Sequence, residues 1–119
     1  MIEYDKDAIC YPYITEFLRS EVNRHDGVLK ELEEYAKENS VPIVQPETAQ
    51  LLEVLAAMKR PARILEIGCA IGYSALLMAQ YLADNGTVTT IEWDADMAVR
   101  ARENIKRAGY EDKINVIHN

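Results

Sequence analysis

The chain has 119 residues and is 49% hydrophobic, which suits one domain with a single core. Its formal charge of −7, from 13 basic and 20 acidic residues, gives no basic footprint for nucleic acid. The N-terminus lacks the basic and apolar regions of a signal peptide, and no run approaches the roughly 18 apolar residues of a membrane span. Two distant cysteines, Cys10 and Cys69, indicate reduced thiols, so we expect a cytoplasmic protein without a membrane partner.

Residues 1–60 predict a helical lead-in. Its first helix covers residues 7–19, or it follows an irregular start and covers residues 12–20, since a proline at position 12 disfavours a helix interior. Asp26 is a candidate N-cap for a second helix that ends near Asn39. The apolar stripe of this second helix consists of Val28, Leu29, Leu32, Tyr35 and Ala36.

A third helix is predicted from Pro46, which suits a first helical turn, to about Lys59. Its apolar residues, expected to face inward, are Leu51, Leu52, Leu55 and Met58. The two histidines, His25 and His118, are isolated in the sequence, which favours surface or edge positions.

Residues 61–119 predict an α/β unit of the βαβαβ type. The expected strands are residues 62–67, 87–92 and 113–118, and the expected helices between them are residues 72–83 and 94–108. Right-handed crossovers would place the strands in the order 3-2-1. The chain therefore predicts the first half of a doubly wound, Rossmann-like sheet, preceded by the helical lead-in.

The first strand carries a short apolar run of Ile64, Leu65 and Ile67, typical of a strand covered on both faces. In a complete doubly wound fold this strand is central, whereas here it would lie on an exposed edge. Such edges invite association. We therefore expect either a fragment of a longer fold or a homo-oligomer formed through this edge.

A glycine turn follows the first strand and opens the next helix. Gly68 and Gly72 allow positive φ and let backbone N–H groups approach a ligand at the helix N-terminus. A dinucleotide fingerprint would need glycines where Ala70 and Tyr73 stand, so the turn does not match that fingerprint. The absence of Gly-Lys-Ser/Thr after the turn excludes a P-loop.

Two carboxylates flank this turn. Glu66, two residues before Gly68, would repel a pyrophosphate and attract a cation, and Glu92 ends the next strand about 20 residues after Gly72. A Rossmann-type fold places an acid at that distance on ribose hydroxyls. S-adenosylmethionine combines a ribose, a positively charged methionine end and no phosphate, so it is the predicted ligand.

The motif residues resemble a known family. Glu66-Ile-Gly-Cys-Ala-Ile-Gly-Tyr-Ser74 and Thr90-Ile-Glu-Trp-Asp94 resemble motifs I and II of class I methyltransferases, within the bacterial O-methyltransferases related to catechol and caffeoyl-CoA O-methyltransferases. Cys69 replaces the usual threonine. The Val-Pro-Ile run and the Pro-Glu helix start upstream resemble the branch that methylates 5-hydroxyuridine in transfer RNA. The resemblance covers about residues 10–119, the N-terminal half of that family's fold.

The resemblance implies roles for individual residues. It makes Val44 a wall of the cofactor site, Gly68 and Ser74 contacts to the methionine portion, Glu92 the ribose acid and Trp93 a neighbour of the adenine; Ala70 lies within the same turn. The family's catalytic metal, expected to be Mg²⁺, would be held by acids beyond Asn119. We therefore assign neither a catalytic residue nor a metal ligand to this chain.

The predicted function is S-adenosylmethionine-dependent O-methylation of a hydroxyl, in transfer RNA or in a small catechol-like acceptor. This chain would carry the cofactor-binding half and would be inactive alone. Two alternatives stay open: a non-catalytic nucleoside-binding or assembly fragment, and an NAD-dependent oxidoreductase, which Glu66, Ala70 and Tyr73 disfavour.

Overall fold

The computed structural model describes residues 9–119, and the helical lead-in is present as predicted. It consists of α1 (Pro12–Glu21), α2 (Gly27–Asn39) and α3 (Pro46–Lys59). The start of α1 agrees with the later of its two predicted beginnings, and positions 7 and 8 lie outside the described residues. Asp26 occupies the N-cap position of α2, although its side chain makes no capping hydrogen bond.

The second part alternates strands and helices. It consists of β1 (Arg63–Ile67), α4 (Tyr73–Ala79), β2 (Thr87–Glu92), α5 (Ala95–Arg107) and β3 (Ile114–His118). The strands are parallel and ordered β1-β2-β3, which is the predicted order 3-2-1 seen from the other edge. In this register Glu66 pairs with Thr90 and Ile67 with Ile91, so the carboxyl ends of β1 and β2 lie side by side.

The core lies between one face of the sheet and the helices. Its largest fully buried side chains are Ile71, Leu77, Val88, Thr90 and Ile105. The lead-in contributes Leu32, Ala36 and Ala49 to the same cluster, because α2 and α3 pack against α4. Among the described residues, no helix combines the length and the apolar content that crossing a membrane would require.

The opposite face of the sheet is open. Leu65 is 69% exposed and Ile67 is 74% exposed, so the prediction that the first strand is covered on both faces is wrong for this chain. Successive right-handed crossovers that advance in one direction place both helices on the same side of a sheet. The alternating burial along β1 and β3 follows from that arrangement.

The prediction for α4 was too long, since the helix ends at Ala79 rather than at residue 83. Beyond it, Gln80 Nε2 donates to the carbonyl of Leu77 at 3.1 Å and Ala83 N donates to the carbonyl of Pro61 at 3.0 Å. These bonds turn the chain back towards β1. The helical run is therefore replaced by a tight turn that leads into β2.

Of the four residues predicted to face inward on α3, only Leu52 packs against the core. Leu51, Leu55 and Met58 are exposed, and the buried residues are Ala49, Glu53 and Ala56. Apolar residues surround this helix almost completely, so their spacing does not select one face. The two alanines permit close packing on α4, and Glu53 is buried because its carboxylate finds polar partners there.

Candidate functional site

The predicted glycine turn is a tightly folded loop between β1 and α4, here called the motif loop (residues 68–72). Gly68, Ala70 and Gly72 all have positive φ, of 84°, 45° and 89°. Gly72 N donates to the carbonyl of Cys69 at 2.8 Å, and Asn104 of α5 donates to the carbonyl of Ile71 at 3.0 Å. The loop is therefore held both internally and from α5.

Glu92 lies beneath the motif loop and is 5% exposed. Its Oε2 accepts hydrogen bonds from Cys69 N at 3.1 Å and Ala70 N at 2.8 Å, and its Oε1 accepts one from Asp94 N at 3.0 Å. A carboxylate has about four lone-pair directions, of which these bonds occupy three. Glu92 therefore fixes the loop and retains about one acceptor direction for a ligand hydroxyl.

Glu66 is half-buried beside the first turn of α4. Its Oε2 accepts a hydrogen bond from Ser74 Oγ at 2.5 Å, and its Oε1 accepts one from Thr90 Oγ1 at 2.7 Å. Burial raises the pKa of Glu66, the Ser74 and Thr90 bonds partly offset this, and the charge of Glu92 raises the pKa further. Neither glutamate forms a salt bridge with any of residues 9–119, so a cationic ligand group would stabilise this region.

Thr90 belongs to this constellation, although sequence reasoning missed it. It is completely buried, and its position opposite Glu66 in the parallel register brings the two side chains together. A threonine two residues before the acid that ends β2 was the available signal, because alternate residues of a strand share one face.

The other predicted residues surround the loop at varying depth. Gly68 is exposed, and a Cβ placed on it would meet no atom within 4 Å, which leaves room for a ligand. Trp93 is 80% exposed just beyond β2, so its indole is not a core residue of this chain. The carbonyl of Trp93 accepts a hydrogen bond from the exposed His118, at 2.9 Å. Val44 is half-buried against the core.

A cavity of about 730 Å³ separates α2 from the connector that precedes α3. Val44 and Tyr73 both line it, so it adjoins the residue that directly follows the motif loop. Its basic residues are Arg19, Arg24, Lys30 and Lys37, and its acidic ones are Glu33 and Glu34. The lining is thus locally richer in basic than in acidic groups, despite the acidic chain.

The prediction of a surface or edge position is wrong for His25. Its ring is 14% exposed and contacts carboxylates of both Glu33 and Glu53. Tyr73 Oη donates to Glu33 at 2.6 Å, and Tyr81 Oη donates to Glu53 at 2.9 Å. Helix packing joins these five side chains, which are far apart in the sequence, so a scan for neighbouring motifs does not find them.

The described residues offer no cluster suited to a metal. Within residues 9–119, no group of three or more His, Cys, Asp or Glu side chains is arranged to hold a metal ion. The polar groups in and around the motif loop are backbone amides, the carboxylates of Glu66 and Glu92, and the hydroxyls of Ser74 and Thr90, which suit a hydrogen-bonding organic ligand.

Comparison with known proteins places this site in a family. The O-methyltransferase family model matches residues 19–119. A catechol O-methyltransferase from Niastella koreensis is 37% identical over 73 residues, which is 61% of this chain and 33% of that protein.

Two solved structures share the fold. An O-methyltransferase from Bacillus cereus in complex with SAH has a TM-score of 0.77 and 29% identity, over 89% of this chain and 49% of that one. The O-methyltransferase TomG from Streptomyces achromogenes, in complex with SAM, has a TM-score of 0.75 and 28% identity, over 89% and 48%.

The chain therefore spans about half the length of these structures and about a third of the curated relative. The family model covers nearly all of the described residues, including the motif loop and both carboxylates. The chain belongs to the O-methyltransferase family.

Proposed function

We propose that the motif loop binds S-adenosylmethionine, and that the protein transfers the methyl group to a hydroxyl. The observation that carries this proposal is the pair of carboxylates, Glu66 and Glu92, which lies beside exposed Gly68 without a basic partner among residues 9–119. Glu66 would face the positively charged methionine end, and Glu92 would accept from a ribose hydroxyl. The relatives solved with SAH and SAM support this choice of ligand.

The other predicted residues complete the proposed site. Gly68 and Ala70 let the backbone approach the ligand, Ser74 holds Glu66 in place, and Trp93 lies along the adenine. Val44 forms a wall shared with the cavity beside α2. Methyl transfer needs the sulfonium and the acceptor oxygen in line, so positioning is the main contribution of these residues.

The acceptor is part of the same proposal. A small catechol-like hydroxyl is supported by the similarity to a catechol O-methyltransferase. A 5-hydroxyuridine in transfer RNA is supported by the basic residues of the adjoining cavity, which offset the overall acidity locally. The Mg²⁺ expected from the family would lower the pKa of the acceptor hydroxyl, with ligands outside residues 9–119.

Isothermal calorimetry of the chain with SAM, SAH and NAD tests the cofactor. We expect SAM and SAH to bind and NAD not to bind. Glu92→Gln should weaken SAH binding by about tenfold or more, since the charge-assisted hydrogen bonds are lost and an NH2 group replaces one of the two oxygens that accept from Cys69, Ala70 and Asp94.

Glu103→Gln is the matched control, because Glu103 is exposed on α5 and makes none of these contacts. Equal affinities for NAD and SAH would contradict the proposed cofactor site. So would an equal loss of SAH affinity in Glu92→Gln and Glu103→Gln.

A further inference from the structure

His25 joins carboxylates that belong to two different helices. Its Nδ1 lies 2.6 Å from Oε1 of Glu33 on α2, and its Nε2 contacts Oε1 of Glu53 on α3. A neutral imidazole carries one N–H, whereas the imidazolium donates from both nitrogens. Burial lowers the pKa of His25, but the hydrogen bonds to Glu53 and Glu33 outweigh burial, and the net effect is a raised pKa.

The same two carboxylates hold both ends of α4. Tyr73, the first residue of α4, is buried and donates its hydroxyl to Glu33 Oε1 at 2.6 Å, the oxygen that His25 also contacts. Tyr81, just beyond α4, donates to Glu53 Oε2 at 2.9 Å. The rings of His25 and Tyr73 meet edge to face, with centroids 6.3 Å apart. His25 thus lies at the centre of a hydrogen-bond network that joins α2 and α3 to both ends of α4.

Tyr73 is also the link between this network and the motif loop. It follows Gly72 directly, and the next residue, Ser74, donates to Glu66. Burial and the neighbouring Glu33 raise the pKa of Tyr73, so its hydroxyl remains a donor throughout the neutral range. Glu33 is therefore linked through Tyr73 to the helix start that adjoins the motif loop.

We propose that His25, as an imidazolium, is a positioning residue for the motif loop and acts through Glu33 and Tyr73. Loss of its proton leaves Glu33 and Glu53 on opposite sides of a ring that can donate to only one of them. The first turn of α4 then loses its fixed anchor, and cofactor affinity falls. The cofactor part of this inference rests on the proposed function, whereas the coupling of His25 to the loop does not.

The charged surroundings of His25 allow one titration to dominate near neutral pH. Glu33 faces it from α2, Glu53 from α3, and Tyr73 from α4. Arg24 and Asp26 adjoin it in the chain, and Tyr81 lies across the small cavity that His25 and Glu53 line. Of all these side chains, histidine alone normally titrates between about pH 5 and pH 8.

A pH titration by nuclear magnetic resonance, without ligand, tests the coupling from about pH 6 to pH 9. We expect the Gly72 and Ser74 amide signals to follow the titration of the His25 ring. Tyr73→Phe should abolish this dependence while the ring still titrates. Tyr81→Phe is the matched control, because it removes an equivalent hydroxyl at the far end of α4 and should preserve the dependence.

Calorimetry with SAH on the same proteins tests the consequence. We expect wild-type and Tyr81→Phe affinity to fall about tenfold as His25 loses its proton, the size of one charge-assisted hydrogen bond. Tyr73→Phe should bind weakly at every pH. The inference would be overturned if the Gly72 and Ser74 amide signals did not change with the His25 titration. It would also be overturned if Tyr73→Phe and Tyr81→Phe had the same effect on these signals and on SAH affinity. The two proposals can fail separately. If the Gly72 and Ser74 amide signals follow the His25 titration but the chain does not bind SAH, the positioning role holds and the proposed function is contradicted.

Discussion

At the residue scale, Glu66 and Glu92 are held in contrasting ways. Glu92 accepts three backbone N–H groups, whereas Glu66 accepts two hydroxyls. Hydrogen bonds donated to a carboxylate favour its charged form, and burial disfavours it. Burial raises the pKa of Glu66, the Ser74 and Thr90 hydroxyls lower it in part, and the charge of Glu92 raises it further.

The raised pKa of Glu66 predicts how Glu66→Gln changes the pH dependence of stability. The folded chain holds this proton more tightly than the unfolded chain does. The stabilisation is fully present below the unfolded value of about 4.3 and is lost as the pH rises through the folded value. The stability of Glu66→Gln relative to wild type should therefore increase from acidic to neutral pH, as measured by urea unfolding. Exposed Glu103→Gln serves as control, and a constant difference for Glu66→Gln would contradict this prediction.

The place of residues was predictable from the sequence where a strand and turn motif fixes it. The motif loop, Glu66 and Glu92 lie together at the carboxyl ends of the first two strands as predicted, although their roles towards a ligand stay predictions. The hydrogen bond from Ser74 to Glu66 was not predicted. Thr90 and His25 were missed for a different reason. Strand register places Thr90 beside Glu66, and helix packing places His25 between its glutamates. Neither arrangement is encoded in local spacing.

At the scale of elements, the order of strands and helices was predictable from the sequence. Which face of each helix is buried was harder to predict. The second helix has a distinct polar side, and its predicted stripe packs against the core. The third helix is apolar almost all round, so tertiary contacts of Glu53 decided its orientation.

The backbone of the motif loop was also not fully predictable. Ala70 adopts a positive φ at the loop centre although it is not a glycine, and Glu92 accepts its N–H there.

The start of α4 gives a prediction at this scale. Gly72 and Gly109 have similar positive φ values of 89° and 78°, but only Gly72 would bring a Cβ within 3.4 Å of Ala101, while the space at Gly109 is open. Both alanine variants should lose about 1 kcal/mol or more from the left-handed backbone. Gly72→Ala should lose more in urea unfolding, since its Cβ would also crowd three atoms of Ala101 on α5, and should weaken SAH binding. Equal losses of stability would show that contact with α5 does not matter.

At the scale of the whole molecule, the open sheet face is the main departure from a stable, self-contained fold. Purely parallel sheets are normally covered on both faces. Here β1 is at once an edge strand and one of the strands with an uncovered apolar face. The lead-in helices pack behind α4, on the covered side, and so cannot shield it.

We expect this face to drive self-association of the 119-residue chain. Replacing Leu65 and Ile67 with threonine keeps strand propensity and removes apolar surface, so the average mass in sedimentation velocity should fall towards that of a monomer. A paired Leu51→Gln and Leu55→Gln variant is the control, because those leucines are similarly exposed on α3. If the α3 variant dissociates the protein instead, the sheet face is not the contact.

The two cysteines of the chain differ in reactivity, because Cys69 is buried in the motif loop and Cys10 is exposed. Burial raises the pKa of Cys69 to about 11, whereas Cys10 is exposed. Because thiolates are the reactive species, maleimide dyes at neutral pH will attach preferentially to Cys10. A fluorophore attached to Cys10 can report on the lead-in while Cys69 in the motif loop stays unmodified.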